Sequence, residues 1–162
     1  MKRAESQRRE HPSTASQRPV ILVVDDDPDF RALIRAAVDR SGSDVDVCEC
    51  RSGLDALALL RHVSIDPAAS LPALVMLDLD MPDMDGRALL AAMRADASLR
   101  TVPVVILTGV DDDDEERRAL SSGANSYACK GCGGTLMLDS IAQIARYWTT
   151  VHRPIRSTSA AA

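Results

Sequence analysis

Aromatic side chains are scarce in this sequence of 162 residues, in which one Phe, two Tyr and one Trp make up 2% of the composition. The apolar share is nevertheless 46%, so we expect a core built from Val, Ile, Leu, Ala and Met. The length fits one domain with roughly 30 residues left over for tails.

Long apolar runs are also missing. No stretch reaches the roughly 20 apolar residues that a membrane-spanning helix needs. The first nine residues, MKRAESQRR, lack the apolar segment of a secretory signal. We therefore expect a cytoplasmic protein with no membrane segment.

Positive charge is scarce in the body of the chain. Residues 19–152 hold 12 basic and 22 acidic side chains, a net charge of −10, whereas residues 1–18 carry +3 and residues 153–162 carry +2. A DNA-binding face needs clustered Lys and Arg to displace counterions, so the body is not predicted to bind nucleic acid. Pro, Ser, Gln and Arg dominate the first segment, and we expect disordered tails at 1–18 and 153–162 around a folded domain.

Strand patterns and helical patterns alternate along the chain. Five short, mostly apolar runs lie at 20–25, 45–50, 73–78, 102–108 and 125–129. Apolar residues at helical spacing or helix-start signals follow them, at 28–40, 54–61, 86–95, 111–121 and 135–150. This alternation predicts a doubly wound α/β fold, a five-stranded parallel sheet with five helices.

Six acids in a row occupy positions 111–116. Acids stabilise the N-terminus of a helix through its dipole, and Arg117 and Arg118 follow further along. We interpret the run as a helix start, with an acidic patch that faces a partner as the alternative.

Polar side chains stand where four of the predicted strands end. Asp25 and Asp26 close or follow the first strand, Asp78 ends the third, Thr108 ends the fourth, and Lys130 follows the fifth. Because ligands of open parallel sheets bind outside the carboxyl ends of the strands, we expect these side chains to form one site.

The residue types at this site suit the transfer of a phosphoryl group. Mg²⁺ prefers oxygen ligands and commonly takes one or two carboxylates plus phosphate, so Asp26 and Asp78 are the predicted ligands and Asp25 is predicted to orient a metal-bound water. A free oxygen of Asp78 can attack phosphorus and form an aspartyl phosphate, and the metal offsets the charge repulsion. We expect the Thr108 hydroxyl and the Lys130 ammonium to contact phosphoryl oxygens.

The motifs around these residues resemble those of two-component response regulator receiver domains, over residues 19–152. They are VVDDDP at 23–28, LDLDMPDMDG at 77–86, ILTG at 106–109 and GANSYACK at 123–130, in the order and spacing of that family. The resemblance implies a flavodoxin-like sheet with strand order 2-1-3-4-5. It also implies that Asp78 accepts a phosphoryl group from a histidine kinase.

The same resemblance implies roles for individual residues. Mg²⁺ would be held by Asp26, Asp78 and the backbone carbonyl of Asp80, with Asp25 in support. Thr108 and Tyr127 fall at the switch positions of the family. Their movement would be read out on the face made by the fourth helix, the fifth strand and the fifth helix.

Two positions depart from the family pattern. Gly131 stands where Pro usually follows the lysine, so we expect a looser loop at 130–134. Asp80 stands where Asn is common, and we hypothesise that the extra carboxylate changes the lifetime of the phosphate or raises the demand for metal.

The four cysteines stand in two close pairs, Cys48 with Cys50 and Cys129 with Cys132. A shared zinc site would need both pairs to meet in space, whereas strand order 2-1-3-4-5 places them on opposite edges of the sheet. We expect packing roles, with a regulatory thiol as the alternative.

The end of the predicted fifth helix, Tyr147-Trp148 followed by Val151 and Pro154, is similar to single-domain receivers that partner bacterial phytochrome kinases, as is the loop at 67–72. This similarity implies a phytochrome-type histidine kinase as partner. We place Trp148 on an apolar stripe of the helix, at 141, 144, 145, 148 and 151. The alternative is burial of Trp148 in a homodimer, which we would expect at the face of the fourth helix, fifth strand and fifth helix.

The main interpretation is therefore a single-domain switch that accepts phosphate on Asp78, signals by binding a protein partner, and has only self-phosphorylation and self-dephosphorylation chemistry. One alternative is a shuttle that passes the phosphoryl group to a histidine phosphotransfer protein. A second alternative is a haloacid-dehalogenase-like phosphatase, which also uses Asp-x-Asp with Mg²⁺. In that family the nucleophile strand precedes the acid pair, which is the reverse of the order here. Its usual Thr or Val two residues after the second Asp is also replaced here, by Pro82. A receiver that binds its partner constitutively conflicts with the intact set of acids, Thr108 and Lys130.

Overall fold

The computed structural model describes residues 18–109, 112–131 and 133–152, and these contain five strands and five helices in alternation. The strands are β1 (Val20–Val24), β2 (Asp46–Cys50), β3 (Leu74–Leu77), β4 (Val104–Thr108) and β5 (Ser126–Cys129). The helices are α1 (Pro28–Arg40), α2 (Gly53–Ile65), α3 (Gly86–Ala95), α4 (Asp113–Ser121) and α5 (Gly134–Arg146), and a π-helical turn (Tyr147–Val151) continues α5. Apart from Arg18, the predicted tails at 1–18 and 153–162 lie outside the described residues.

All five strands are parallel and lie in the order β2-β1-β3-β4-β5. The predicted doubly wound sheet and its strand order are therefore confirmed. β2 and β5 form opposite edges, which separates Cys48 and Cys50 from Cys129; Cys132 is outside the described residues. Cys50 is buried, as expected of a packing residue, whereas Cys48 and Cys129 are half-buried.

The core lies in two layers, one on each face of the sheet. Successive residues of a strand point to opposite faces, so Leu22 and Val24 pack with α2, α3 and α4, whereas Ile21 and Val23 pack with α1 and α5. The largest fully buried side chains are Ile, Leu and Met. Among the described residues, the buried hydrophobic side chains are those of Val, Ile, Leu, Ala and Met, with Cys50 in addition, as the composition predicted. Within the described residues, no helix combines the length and the apolar character that crossing a membrane would require.

Side-chain caps start the helices that follow the strands. Asp27 accepts hydrogen bonds from the N–H groups of Asp29 and Phe30, and Pro28 opens α1, where its missing N–H costs nothing. The caps of three further helices are Ser52 for α2, Asp85 for α3 and Asp112 for α4. These caps let the chain leave the site loops directly into helices.

Two helix ends differ from the predicted ones. α4 begins at Asp113 with four acids in its first turn, which fits the helix-start interpretation, while Asp111 lies outside the described residues. α5 passes into the π-helical turn after Arg146. The wider turn changes the angular spacing of side chains, so Val151 is 65% exposed although Trp148 packs on the core. The placement of Val151 on the apolar stripe was wrong.

Gly86, the first residue of α3, packs directly against the loop that follows β3. Its N–H donates to the carbonyl of Leu79 at 3.0 Å. A Cβ at this position would lie 2.1 Å from the carbonyl oxygen of Asp78. The close approach of α3 to this loop therefore requires glycine.

We expect Gly86→Ala to lower the free energy of unfolding by about 3 kcal/mol or more, because the new methyl group overlaps backbone atoms that cannot move aside. Gly134→Ala is the matched control, since Gly134 also opens a helix but has nothing within 4 Å of an added Cβ. The control should change stability by no more than about 1 kcal/mol, in the stabilising direction. Urea denaturation measures both, and equal effects would contradict the close approach.

Candidate functional site

The register of β1 and β3 brings two acids side by side. Val24 lies opposite Leu77 in the parallel ladder, so Asp25 and Asp78 are the next residues on neighbouring strands. The N–H of Asp78 donates to the carbonyl of Val24 at 2.9 Å. The backbone ladder therefore determines the spacing of the two carboxylates.

The register of β4 and β5 brings the two other predicted site residues, Thr108 and Lys130, next to each other in the sheet. Thr108 lies opposite Cys129, and the N–H of Lys130 donates to the carbonyl of Thr108 at 2.7 Å. Thr108 is buried. Four strands thus deliver the predicted site residues to one edge of the sheet.

Three carboxylates form a tight cluster. Asp25, Asp26 and Asp78 each place one oxygen within 4.8 Å of the others. Asp25 and Asp78 are buried, whereas Asp26 is exposed. An all-oxygen set with one open side suits a hard divalent cation that keeps several waters. The predicted convergence of these three acids is observed, and their individual roles as ligands stay predictions.

Lys130 connects the two buried acids. Its Nζ lies 2.6 Å from Oδ2 of Asp25 and 3.0 Å from Oδ2 of Asp78. It also lies 4.3 Å from the centre of the Phe30 ring, a cation–π contact. One ammonium therefore faces two buried carboxylates, and the sequence places no other lysine between residues 19 and 152.

Asp25 is held in place through both of its oxygens. Oδ2 accepts from Lys130, and Oδ1 accepts from the N–H of Asp27 at 2.9 Å. Burial raises the pKa of Asp25 above its ordinary value, although the hydrogen bonds from Lys130 and Asp27 oppose that rise. A carboxylate whose ionised form is disfavoured by burial gains from a nearby cation, so the residues present fit a divalent metal ion.

Arg31 and Phe30 support this site, and sequence reasoning missed that part of their role. The Nη1 of Arg31 donates to the carbonyl of Asp25 at 2.6 Å, and its Nε lies 3.2 Å from Oε2 of Glu49 on β2. An arginine at a polar position of a helix is expected to face solvent, so no sequence pattern indicated that Arg31 contacts the site. Phe30 lies within the helix predicted at 28–40, and no sequence pattern marked it as part of the site.

Tyr127 lies on β5 and not at the tip of the strand. It is half-buried and packs against the core layer that includes Ala119 of α4. Burial, and to a smaller extent nearby acids such as Glu115, raise the pKa of its phenol. Tyr127 is therefore beside the helix through which the family resemblance predicts readout.

The two departures from the family pattern lie close in sequence to site residues, Asp80 two positions after Asp78 and Gly131 directly after Lys130. The side chain of Asp80 is 58% exposed, and its Oδ1 lies 3.6 Å from Nη1 of Arg87. The N–H of Gly131 donates to Sγ of Cys129 at 3.3 Å. The predicted looseness of the loop at 130–134 stays a prediction.

We expect Asp25→Asn to stabilise the metal-free protein at pH 7 by on the order of 1 kcal/mol. Because the folded-state pKa of Asp25 is raised, its protonated form favours folding. That contribution is complete below the unfolded-state pKa and is lost as the pH rises through the raised folded-state pKa. The advantage of the variant should therefore shrink between pH 7 and pH 4, as measured by urea denaturation in EDTA.

Asp44→Asn is the control for this pH series, because it removes the same charge from a side chain that is 77% exposed. Its effect should stay within about 0.5 kcal/mol at each pH. A loss of stability in Asp25→Asn at pH 7 would contradict the assignment of Asp25 as an electrostatically unfavourable carboxylate.

Comparison with known proteins was consistent with this geometry. Residues 21–142 match the family described as the response regulator receiver domain. The chain is 36% identical over 129 residues to the probable methanogenesis regulatory protein FilR2 of Methanothrix harundinacea (strain 6Ac), which covers 80% of this chain and 83% of that protein. It is 29% identical over 129 residues to the response regulator Rcp1 of Synechocystis sp., covering 80% of this chain and 88% of Rcp1.

Solved structures agree with the sequence comparison. The phosphorylated cyanobacterial phytochrome response regulator RcpA superposes with a TM-score of 0.75 at 28% identity, over 85% of this chain and 99% of that chain. The Mn²⁺-bound form of Rcp1 superposes with a TM-score of 0.74 at 27% identity, over 84% and 98%. Receiver domains are phospho-accepting switches that bind Mg²⁺ or Mn²⁺ at an acidic pocket. This chain belongs to the response regulator receiver domain family.

Proposed function

We propose that this protein is a switch of a two-component system that accepts a phosphoryl group on Asp78 from a histidine kinase. The observation that carries the proposal is the setting of Asp78, a buried carboxylate in the acid cluster whose Oδ2 lies 3.0 Å from Nζ of Lys130. The same setting supports Asp26, Asp78 and the backbone carbonyl of Asp80 as the groups that would hold Mg²⁺, with Asp25 beside them.

In the proposed reaction, a carboxylate oxygen of Asp78 attacks the phosphorus of a phosphohistidine. The new O–P bond forms as the P–N bond breaks, and the histidine nitrogen leaves with the electron pair of that bond. Bound Mg²⁺ supplies charge neutralisation at the transferred phosphoryl group. The reaction converts one of the two carboxylates that Lys130 faces, that of Asp78, into an acyl phosphate, so the ammonium can contact the phosphoryl oxygens while it stays beside Asp25. Attack of water on phosphorus later releases inorganic phosphate and restores the carboxylate.

The signal would then pass to the face of α4, β5 and α5. Thr108 ends β4 beside Lys130, and Tyr127 packs next to α4, which supports them as the two switch residues. Leu120 of α4 is 41% exposed, and Tyr147 in the π-helical turn after α5 is 50% exposed. We infer that this face of α4, β5 and α5 binds a protein partner or a second copy of the chain. We also infer that residues 19–152 form one receiver domain that acts in the cytoplasm.

The similarity to RcpA and Rcp1 supports a phytochrome-type histidine kinase as the phosphoryl donor. RcpA is described as a cyanobacterial phytochrome response regulator. The test is a phosphotransfer profile against the histidine kinases of the source organism. Fastest transfer from a kinase of another class would contradict this choice of partner without affecting the acceptor site.

We expect the wild-type protein to be labelled in that profile with Mg²⁺ present, and labelling to fall at least about 100-fold in EDTA or in Asp78→Asn, because the variant lacks the nucleophile. Asp83→Asn is the control, since Asp83 is an exposed acid of the same loop with a φ of 70° that Asn tolerates. Retained labelling of Asp78→Asn would overturn the site assignment.

Asp80→Asn tests the effect of the extra carboxylate. The negative charge of Asp80 repels the phosphoryl group on Asp78, so we expect the variant to keep its phosphate about two- to tenfold longer and to differ from the wild type in its dependence on Mg²⁺. The decay of labelled protein after removal of the kinase, at a series of Mg²⁺ concentrations, measures both quantities. Identical decay rates and identical Mg²⁺ dependence would show that Asp80 has no such effect.

A further inference from the structure

Arg87 lies between helix α4 and the loop at 78–85, which connects β3 to α3 and contains four aspartates. It is the second residue of α3, directly after Gly86, which packs against the backbone of Asp78. Its guanidinium contacts acids from two directions. The partners among the described residues are Glu115, Asp80 and Asp85.

The contacts of Arg87 with these acids are unequal. Nε lies 2.9 Å from Oε1 of Glu115 and Nη2 lies 2.9 Å from Oε2, a bidentate pair with a side chain that is only 14% exposed. The remaining nitrogen, Nη1, lies 3.6 Å from Oδ1 of Asp80 and 3.9 Å from Oδ2 of Asp85. Glu115 of α4 therefore sets the orientation of the guanidinium, and Asp80 receives a weaker share of its charge.

The pairing of Arg87 affects the charge balance of the acid cluster. Lys130 is engaged with Asp25 and Asp78. Within the described part of the chain, the basic side chain paired with Asp80 is Arg87. The net charge that Asp80 presents to a cation in the acid cluster thus depends on how closely Arg87 approaches it.

We propose that Arg87 is a positioning residue of the metal site, which partly offsets the charge of Asp80 and keeps that carboxylate from the cation. Glu115 limits this offset because it holds the guanidinium on the side of α4. A displacement of Glu115 lets Arg87 close on Asp80 and weakens cation binding. By reciprocity, cation binding favours the position of α4 in which Glu115 keeps Arg87. The proposal rests on the metal site of the proposed function.

The test is calorimetric titration of the full chain with Mg²⁺ at low ionic strength, in the absence of any phosphoryl donor. Arg87→Gln should bind Mg²⁺ about three- to tenfold more tightly, because Asp80 then faces the cation without an opposing charge. Glu115→Gln should bind it about two- to fivefold more weakly, because Arg87 is released toward Asp80. Arg87→Lys keeps the positive charge but loses the bidentate pair with Glu115, so it should bind Mg²⁺ no more tightly than the wild type.

The chain offers matched controls for both charge changes. Arg118 touches Glu115 at 3.7 Å and pairs with Asp112 at 4.0 Å, so Arg118→Gln removes the same charge without removing the partner of Asp80. Glu116 is the exposed neighbour of Glu115 on α4, and Glu116→Gln matches Glu115→Gln. Both controls should change Mg²⁺ affinity by less than about twofold.

Asp80→Asn decides whether the effect passes through Asp80. In that background Arg87→Gln should change Mg²⁺ affinity by less than about twofold. The proposal is overturned if Arg87→Gln binds no more tightly than Arg118→Gln, if its effect is unchanged in Asp80→Asn, or if the wild type binds no Mg²⁺. Since no phosphoryl donor is present, failure of this proposal would leave labelling of Asp78 intact, and failure of labelling would leave the Mg²⁺ titration interpretable.

If Arg87→Gln is unfolded by circular dichroism, the comparison of Glu115→Gln with Glu116→Gln decides, and equal Mg²⁺ affinities of those two variants would overturn the proposal.

Discussion

The contact of one ammonium with two buried carboxylates determines most of what this structure does. Lys130 lies within 3.0 Å of both Asp25 and Asp78, and the side chains of these two acids are only 2% and 8% exposed. The carboxylates of Asp25 and Asp78 and the ammonium of Lys130 leave one negative charge unbalanced among largely buried side chains, an arrangement that favours a further cation. A cation bound beside Asp78 would offset this negative charge and so change how readily its carboxylate accepts a negatively charged group.

The surrounding structure maintains this unfavourable arrangement by rigid backbone contacts. The ladder bond between Asp78 and Val24 and the close packing of Gly86 leave the loop after β3 little freedom to relax. Arg31 holds the backbone of Asp25 from helix α1. Two aliphatic core layers supply the stability against which the repulsion at the site is set. A site of this kind is destabilised by its own charges and gains stability when it binds its cation.

Helix α4 is connected to the site by two routes of different character. Tyr127 of β5 packs on the core layer that contains Ala119 of α4, so this connection depends on side-chain packing. Arg87 is connected to α4 by a bidentate ion pair with Glu115, so this connection depends on charge. An electrostatic connection of this kind responds to a change of charge at the acid cluster without requiring that side chains repack.

The sequence alone determined the fold class and the positions of five site residues at strand ends, because strand periodicity and strand ends are local properties of the chain. These residues are Asp25, Asp26, Asp78, Thr108 and Lys130. The strand order was predicted from the family resemblance, because strand pairing is not a local property. Sequence reasoning also identified the helix-start acids correctly, since capping and the helix dipole act within one turn. It could not find the contacts of Arg31 and Phe30, nor the pairing of Arg87 with Glu115, 28 residues away. Nor did it find the π-helical turn that exposes Val151. An arginine on a helix surface looks the same in every sequence, and which acid it meets depends on how α3 and α4 pack over the sheet. Only the tertiary structure decides that.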